Sequence, residues 1–203
     1  MKLTWLGHAC FALEHDGYRI VTDPYTGVDG YPELHTTAHE VYCSHQHADH
    51  NAVQCVTILP PRKNPFTVRE IPSFHDDKNG TLRGKNTIRI FTAGNVSVAH
   101  MGDLGHSLTP QMKDALAHVN AVLIPVGGYY TIGAEQAKQI CDTLKVPCVV
   151  PMHYFHPPYG LPVIGKVDDF LKLWPEHQIH RLNTSSFELT PETSGVIVPA
   201  FTE

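Results

Sequence analysis

His45-Gln46-His47-Ala48-Asp49-His50, "HQHADH", packs three imidazoles and a carboxylate into six consecutive positions. A strand has a period of two, so an extended backbone here would project His45, His47 and Asp49 to one side. His50 follows in a turn, where that alternation fails. Such a segment can offer two imidazoles to one cation, and a carboxylate with an imidazole to a second. The residues before it, "EVYCSH", read as a strand that would deliver the cluster at its C-terminal end.

Working outward, the first half of the chain reads as β-rich. "KLTWLG", "CFALEH" and "YRIVTD" are short strand-like runs, the last two separated by Asp16-Gly17, a hairpin signal. "FTVREIPSFH", "NTIRIFTAG" and "VSVAHMGD" continue the pattern, with a polar turn, "DDKNG", after the first of them. The second half alternates. "TPQMKDALAHV" predicts a helix capped by Thr109 with Pro110 at its first position. "AVLIPV" and "CVVPMH" are continuous apolar runs expected of strands covered on both faces. "GAEQAKQICDTLK" and "KVDDFLKLW" read as helices, and "HQIHRLN" and "SFELT" as closing strands. This order predicts an α+β chain of one domain spanning residues 1–203. Its two mixed sheets would pack together with helices outside, in four αββα layers.

Three further donors fall at predicted strand ends: His75, Asp103 and His153. Imidazole and carboxylate are the donor types of zinc and similar divalent ions. With His45, His47, Asp49 and His50 they number seven, too many for one tetrahedral ion. Two ions sharing Asp103 would each receive four protein contacts and leave a position for water. A structural zinc is more often closed by four ligands with cysteine among them, so this donor set points to catalysis.

Composition narrows the classes. Hydrophobic residues make up 42% and charged residues 17% of 203, which excludes a disordered chain. No apolar run approaches the roughly 18–20 residues of a membrane span, so no membrane association is expected. The N-terminus lacks the pattern of a signal peptide, and a cytoplasmic location is the expectation. A formal charge of −5 argues against nonspecific binding to nucleic acid, which needs a basic face. Five cysteines without a C-x-x-C pair read as thiols in a reducing compartment.

"HQHADH" fits the H-x-H-x-D-H signature of the metallo-β-lactamase superfamily, and the later His, Asp and His fall in its expected order. "LGHACF", "TDP", "MGDLG", "PVGGYYTIGAEQA" and "PMHY" resemble the branch of ascorbate-6-phosphate lactonase-like proteins and related metal-dependent hydrolases. The resemblance covers nearly the whole chain. It implies the αββα fold and a dinuclear site, usually zinc, with manganese or iron as alternatives. Carried over by position, His45, His47 and His75 would bind the first metal. Asp49, His50 and His153 would bind the second, with Asp103 bridging. The segment between His50 and His75 is shorter than in related chains, which bears on His75.

The reaction so implied is hydrolysis of an ester, lactone, amide or phosphodiester bond in a small molecule by a bridging hydroxide, with Asp49 as the catalytic residue that orients the nucleophile. A non-catalytic metal-binding or sensing protein on the same fold is the alternative. His47, where iron oxidoreductases of the superfamily typically carry an acidic residue, argues against redox use of iron. A homo-oligomer is common in the resembling branch. His8 and Tyr130 are candidates for contacting substrate, and His8 could instead hydrogen-bond a ligand carboxylate. Asp23 is a candidate for orienting a metal-binding histidine. His100 reads as structural, and the basic Arg62, Lys63 and Arg69 as a solvated face.

Overall fold

In β1 (Lys2–Gly7), Leu3 and Trp5 alternate with half-exposed neighbours and enter the main core. In β2 (Cys10–His15), Phe11 and Leu13 face that core, whereas Cys10 and Ala12 face a smaller cluster on the other side. The first sheet is thus apolar on both faces. The computed structural model describes residues 1–202. Asp16 and Gly17 both adopt positive φ, 48° and 71°, the backbone of a two-residue hairpin turn. That turn sets the register of β2 against β3 (Tyr18–Thr22), with His15 opposite Tyr18. A register shift between Trp5 and Gly7 bends the end of β1, and His8 follows at φ 50°.

β4 (Thr36–Ala38) and β5 (Glu40–Tyr42) come next, then a 3-10 turn at Val53–Cys55 and β6 (Val56–Ile58). β4 and β6 form a separate parallel pair. Ala38 and Val56 from this pair join Tyr25, Val28 and Leu34 over the outer face of the first sheet. That covering layer is thin, built from loop, one 3-10 turn and two short strands.

β7 (Thr67–Phe74), β8 (Lys85–Ala93) and β9 (Val96–His100) form an antiparallel meander. α1 (Pro110–Leu116) then leads to β10 (Ala121–Pro125), and α2 (Ala134–Leu144) to β11 (Cys148–Met152). α3 (Val167–Leu171) and a 3-10 turn at Glu176–Gln178 precede β12 (Ile179–Arg181), β13 (Ser186–Glu188) and β14 (Gly195–Val198). The result is a five-stranded sheet ordered β13-β1-β2-β3-β5 and a seven-stranded sheet ordered β12-β14-β11-β10-β9-β8-β7. Every residue of β10 and β11 is buried, as their unbroken apolar runs predict. Phe11 of the first sheet and Phe91 of the second are fully buried in one core. Removing either ring would cost about 3–5 kcal/mol.

One expectation changes, and three strands go beyond those expected. The strand before the histidine cluster stops at Tyr42, so His45–His50 is not extended. It is a loop of bends and turns, closed by the His50 N–H donating to the His47 carbonyl at 2.9 Å. "GVIV" at 195–198 forms β14, an apolar run too short to stand out by period. β4 and β6, three residues each, carry no readable alternation. Thr109 does cap α1, its hydroxyl accepting from the Met112 N–H at 3.3 Å. The five cysteines are unpaired, with Cys10, Cys141 and Cys148 buried. No helix among the described residues is long and apolar enough to cross a membrane.

Candidate metal centre

The donor-bearing loops all leave the same edge of the sandwich. His8 lies between β1 and β2, Asp23 follows β3, and His45–His50 follows β5, all from the five-stranded sheet. His75, Asp103 and His153 follow β7, β9 and β11 of the seven-stranded sheet. Donor atoms of His45, His47 and His75 lie within 4.8 Å of one another, and so do those of His8, Asp49, His50 and His153. Each group takes donors from both sheets.

Asp103 joins the two groups. Its Oδ2 is 3.1 Å from His75 Nε2, 3.2 Å from His50 Nε2, 3.3 Å from His153 Nε2 and 3.9 Å from His45 Nε2. Two donors bound at about 2.0–2.1 Å to one tetrahedral ion are themselves roughly 3.3 Å apart. The side chain is buried, and its carboxyl is held well below the usual carboxylate range. Burial opposes that ionisation, but His153 and His50 beside it prevail.

Glycines make this approach possible. Gly102, at φ 55°, lies so close to Asn86 and Ser44 that a Cβ there would fall 2.3 Å from Asn86 Oδ1. Asn86 Oδ1 accepts the Asp103 N–H at 3.0 Å, while its Nδ2 donates to Ser73 Oγ and the Met101 carbonyl. Gly105 packs equally tightly on the backbone of His75 and Asp76.

The proton positions of two imidazoles follow from Asp23. Its Oδ1 accepts the Ser44 N–H and its Oδ2 the Ser44 hydroxyl, each at 2.6 Å, and Oδ2 also lies 2.8 Å from His50 Nδ1. Burial raises the Asp23 pKa, yet His100, His50 and Ser44 bring it down to about 2. The ionised carboxylate therefore holds a proton on His50 Nδ1. Against its burial, Asp103 and Asp23 together raise the His50 pKa, so Nε2 also keeps a proton until a cation displaces it. Ser44 has a single hydroxyl proton and gives it to Asp23. Its oxygen then accepts from His45 Nδ1 at 2.9 Å, which frees His45 Nε2.

His45 Nε2, His50 Nε2, Asp103 Oδ1, His75 Nδ1, His153 Nδ1 and both nitrogens of His8 are buried without a hydrogen bond. Each such atom costs about 1–3 kcal/mol unless something satisfies it, and bound cations would do so for His45 Nε2, His50 Nε2 and Asp103 Oδ1. Burial and then His50 push His45 down to about 3, so its imidazole is neutral and able to donate at pH 7. The donor set and the tautomers that Asp23 imposes fit divalent metal ions, with His50 giving up its Nε2 proton on binding.

The sequence-predicted residues converge: His45, His47, Asp49, His50, His75, Asp103 and His153 all border this centre. His47, Asp49, His75, Asp103 and His153 line a cavity of about 310 Å³ together with Arg83, Tyr130 and Leu161. Tyr130 is therefore at the cavity wall. His8 is not. It is fully buried behind Asp49, with its Nε2 3.4 Å from Asp49 Oδ2 and its ring 4.3 Å from that of His153. The His8 carbonyl accepts from Trp5 Nε1 and from the His153 N–H. Asp23 lies against His50, as the orienting reading requires. His100 bonds the Ala9 carbonyl and the Gly102 N–H, a structural arrangement.

Ser44, Asn86, Asp76 and Arg83 were not singled out from sequence. Asp76 accepts four backbone N–H groups, from Lys78, Gly80, Leu82 and Arg83, at 2.7–3.0 Å. The signal was present in Asp76 two residues before Lys78, a side chain suited to an Asx turn, followed by Asn79-Gly80. Asn79 and Gly80 both take positive φ. The arginine at the cavity is Arg83, whereas Arg62 and Arg69 bond the Gly17 and Ala115 carbonyls elsewhere.

A family model described as a beta-lactamase superfamily domain matches residues 2–153. The chain belongs to the metallo-β-lactamase superfamily. A metal-dependent hydrolase of Methanoculleus marisnigri is 31% identical over 186 residues, covering 76% of this chain and 81% of its own. A Thermotoga maritima protein, provisionally named a Zn-dependent hydrolase of the metallo-β-lactamase superfamily, is 36% identical. It superposes with a TM-score of 0.76 over 98% of this chain and 97% of its own. An isothiocyanate hydrolase from Delia radicum gut bacteria, 13% identical with a TM-score of 0.65 over 100% and 98% of the two chains, shares the fold.

Proposed function

We propose that the chain is a metal-dependent hydrolase that holds a pair of divalent cations, zinc by the donor chemistry, and cleaves an ester, lactone, amide or phosphodiester bond of a small molecule. The observation that carries this reading is the position of Asp103, whose Oδ2 lies within 3.1–3.3 Å of imidazoles from both donor groups. One ion would be held by His45, His47 and His75, the other by Asp49, His50 and His153, with Asp103 between them. His8, in the second donor group by distance, backs Asp49 in this assignment. Five imidazoles and two carboxylates suit zinc better than magnesium or calcium, which prefer oxygen. The names of the Methanoculleus and Thermotoga relatives support the same class.

When bound, such cations supply a water activated at neutral pH and polarise the substrate oxygen. The chain contributes the rest. Asp49 borders the cavity and stays ionised: burial opposes this, but His8 and His50 outweigh it. It can accept a hydrogen bond from the attacking water and fix its direction. Asp23 and Ser44 hold two of the imidazoles in the tautomers that leave Nε2 free. Tyr130 and Leu161 wall the cavity and limit the water that reaches the bond.

The test is elemental analysis of purified protein, followed by turnover of the zinc- or manganese-loaded form on lactones, esters, amides and phosphodiesters. Bound metal with turnover on one of these classes is expected, and both should be lost in Asp103→Ala. Protein that takes up no divalent ion, or an Asp103→Ala variant with full activity, would end the reading.

A further inference from the structure

We propose that Arg83 is the specificity-determining residue of this site and that the substrate carries an oxyanion group, a carboxylate or phosphate, in addition to the bond that is cleaved. This deepens the hydrolase reading and rests on it. Arg83 is the one Lys or Arg side chain lining the cavity that His47, Asp49, His75, Asp103 and His153 border. Arginines at acidic sites usually end on a carboxylate. Arg83 has no carboxylate partner among the described residues, although Asp49 and Asp103 line the same cavity. Its one side-chain hydrogen bond there, Nη2 to the Tyr129 carbonyl, is 3.3 Å long. A guanidinium has five N–H donors, so most of its donor capacity stays available to a ligand.

The group is also held in place. The guanidinium lies over the Tyr130 ring with Cζ 5.6 Å from its centroid, a cation–π contact that favours this placement. Beneath it, the backbone is pinned by Asp76, which receives the N–H of Arg83 at 2.7 Å and of Leu82 at 3.0 Å. Asp76 directly follows His75, whose own N–H donates to the Gly84 carbonyl at 3.1 Å. One short loop thus ties the backbone of His75 to that of Arg83, so the arginine side chain springs from a fixed point beside the metal site. A planar fork is the geometry that reads a carboxylate or phosphate through two parallel hydrogen bonds. The charge agrees. Two bound divalent cations would outweigh Asp49 and Asp103, and with Arg83 would make the cavity positive in a chain of formal charge −5.

The experiment is calorimetric titration of the zinc-loaded protein with α,ω-dicarboxylates from malonate to adipate, each compared with the monocarboxylate of equal chain length. The ω-phosphonocarboxylates run alongside distinguish phosphate from carboxylate. One member of either diacid series should bind about tenfold or more tightly than its monoacid. Arg83→Ala should erase that preference while its metal content stays that of the parent, and Arg83→Lys should restore only part of it. If no diacid is preferred, or the preference survives in Arg83→Ala, the assignment is overturned and the hydrolase reading still stands. An Arg83-dependent preference in a protein without turnover on any bond class would uphold Arg83 and overturn the hydrolase reading.

Discussion

His50 Nδ1 lies 2.8 Å from Asp23 Oδ2, and both side chains are buried from solvent. Through Ser44 the same carboxylate reaches His45, so one residue that touches neither cavity nor substrate sets the donor atom of an imidazole in each group. Asp23→Asn keeps the size but offers an amide that can present N–H to His50 Nδ1. The proton would then move to Nε2 and block it. Zinc affinity should fall about 10–100-fold, as for other outer partners of metal-bound histidines. Competition with a chromophoric chelator measures it, and unchanged affinity would refute the tautomer argument.

The two donor groups should empty separately. His47→Ala removes a donor found only with His45 and His75, and His153→Ala one found only with His8, Asp49 and His50. Each variant should lose one ion per chain and retain the other, whereas Asp103→Ala weakens both. Elemental analysis after gel filtration reads the stoichiometry. Loss of all metal in His47→Ala would mean that the groups do not act as two sites.

Acidification should destabilise the metal-free fold. Burial and then His153 lower His8 to about 4; burial and then His50 lower His45 to about 3; His100 is also lowered by burial. In the unfolded chain these groups titrate near 6.5. Below that pH the unfolded state binds more protons than the folded one, so their stabilising contribution is complete above 6.5 and declines as pH falls toward 4. His50, raised by Asp103 and Asp23 against its burial, acts the other way near pH 7, adding stability until the unfolded chain is itself protonated below about 6.5, and adds no slope at lower pH. Denaturant midpoints of chelator-treated protein should drop between pH 6 and 4.5. A flat or rising profile contradicts neutral buried histidines.

Gly102→Ala should damage fold and site together. The added Cβ meets Asn86 Oδ1 and Ser44 on a backbone at φ 55°. A cost of about 2 kcal/mol or more is expected, a fall in Tm of roughly 4–8 °C. Because Asn86 carries the Asp103 N–H, metal affinity should fall as well. A variant with parental Tm and parental affinity would show that the backbone there can relax.

Much of the sandwich was readable because strand and helix periods are local properties. The strand-like run "CFALEH", the Asp16-Gly17 turn, and Thr109-Pro110 before α1 each announce themselves within a few residues. The convergence of His75 with His45 rests on strand pairing across the chain, and only the H-x-H-x-D-H pattern made it foreseeable. The strand expected to run through "EVYCSH" to His45 stops at Tyr42, because hydrogen bonds from Ser44 to Asp23 turn the chain. Arg83 was invisible for a related reason. Nothing in "TLRGKN" indicates that Asp76 folds it back beside His75 or that Tyr130, from another loop, lies under it.

The His8 carbonyl receives the His153 N–H, so the rims of the two sheets are stitched directly at the place where both donor groups meet. Any cation held by imidazoles from both sides would act as a rivet through that seam, and prising the sandwich open would mean tearing out coordination bonds. Chelation should therefore loosen the join between the halves before it disturbs either half, and the rest of the rim is left free to vary its loops around a fixed clasp.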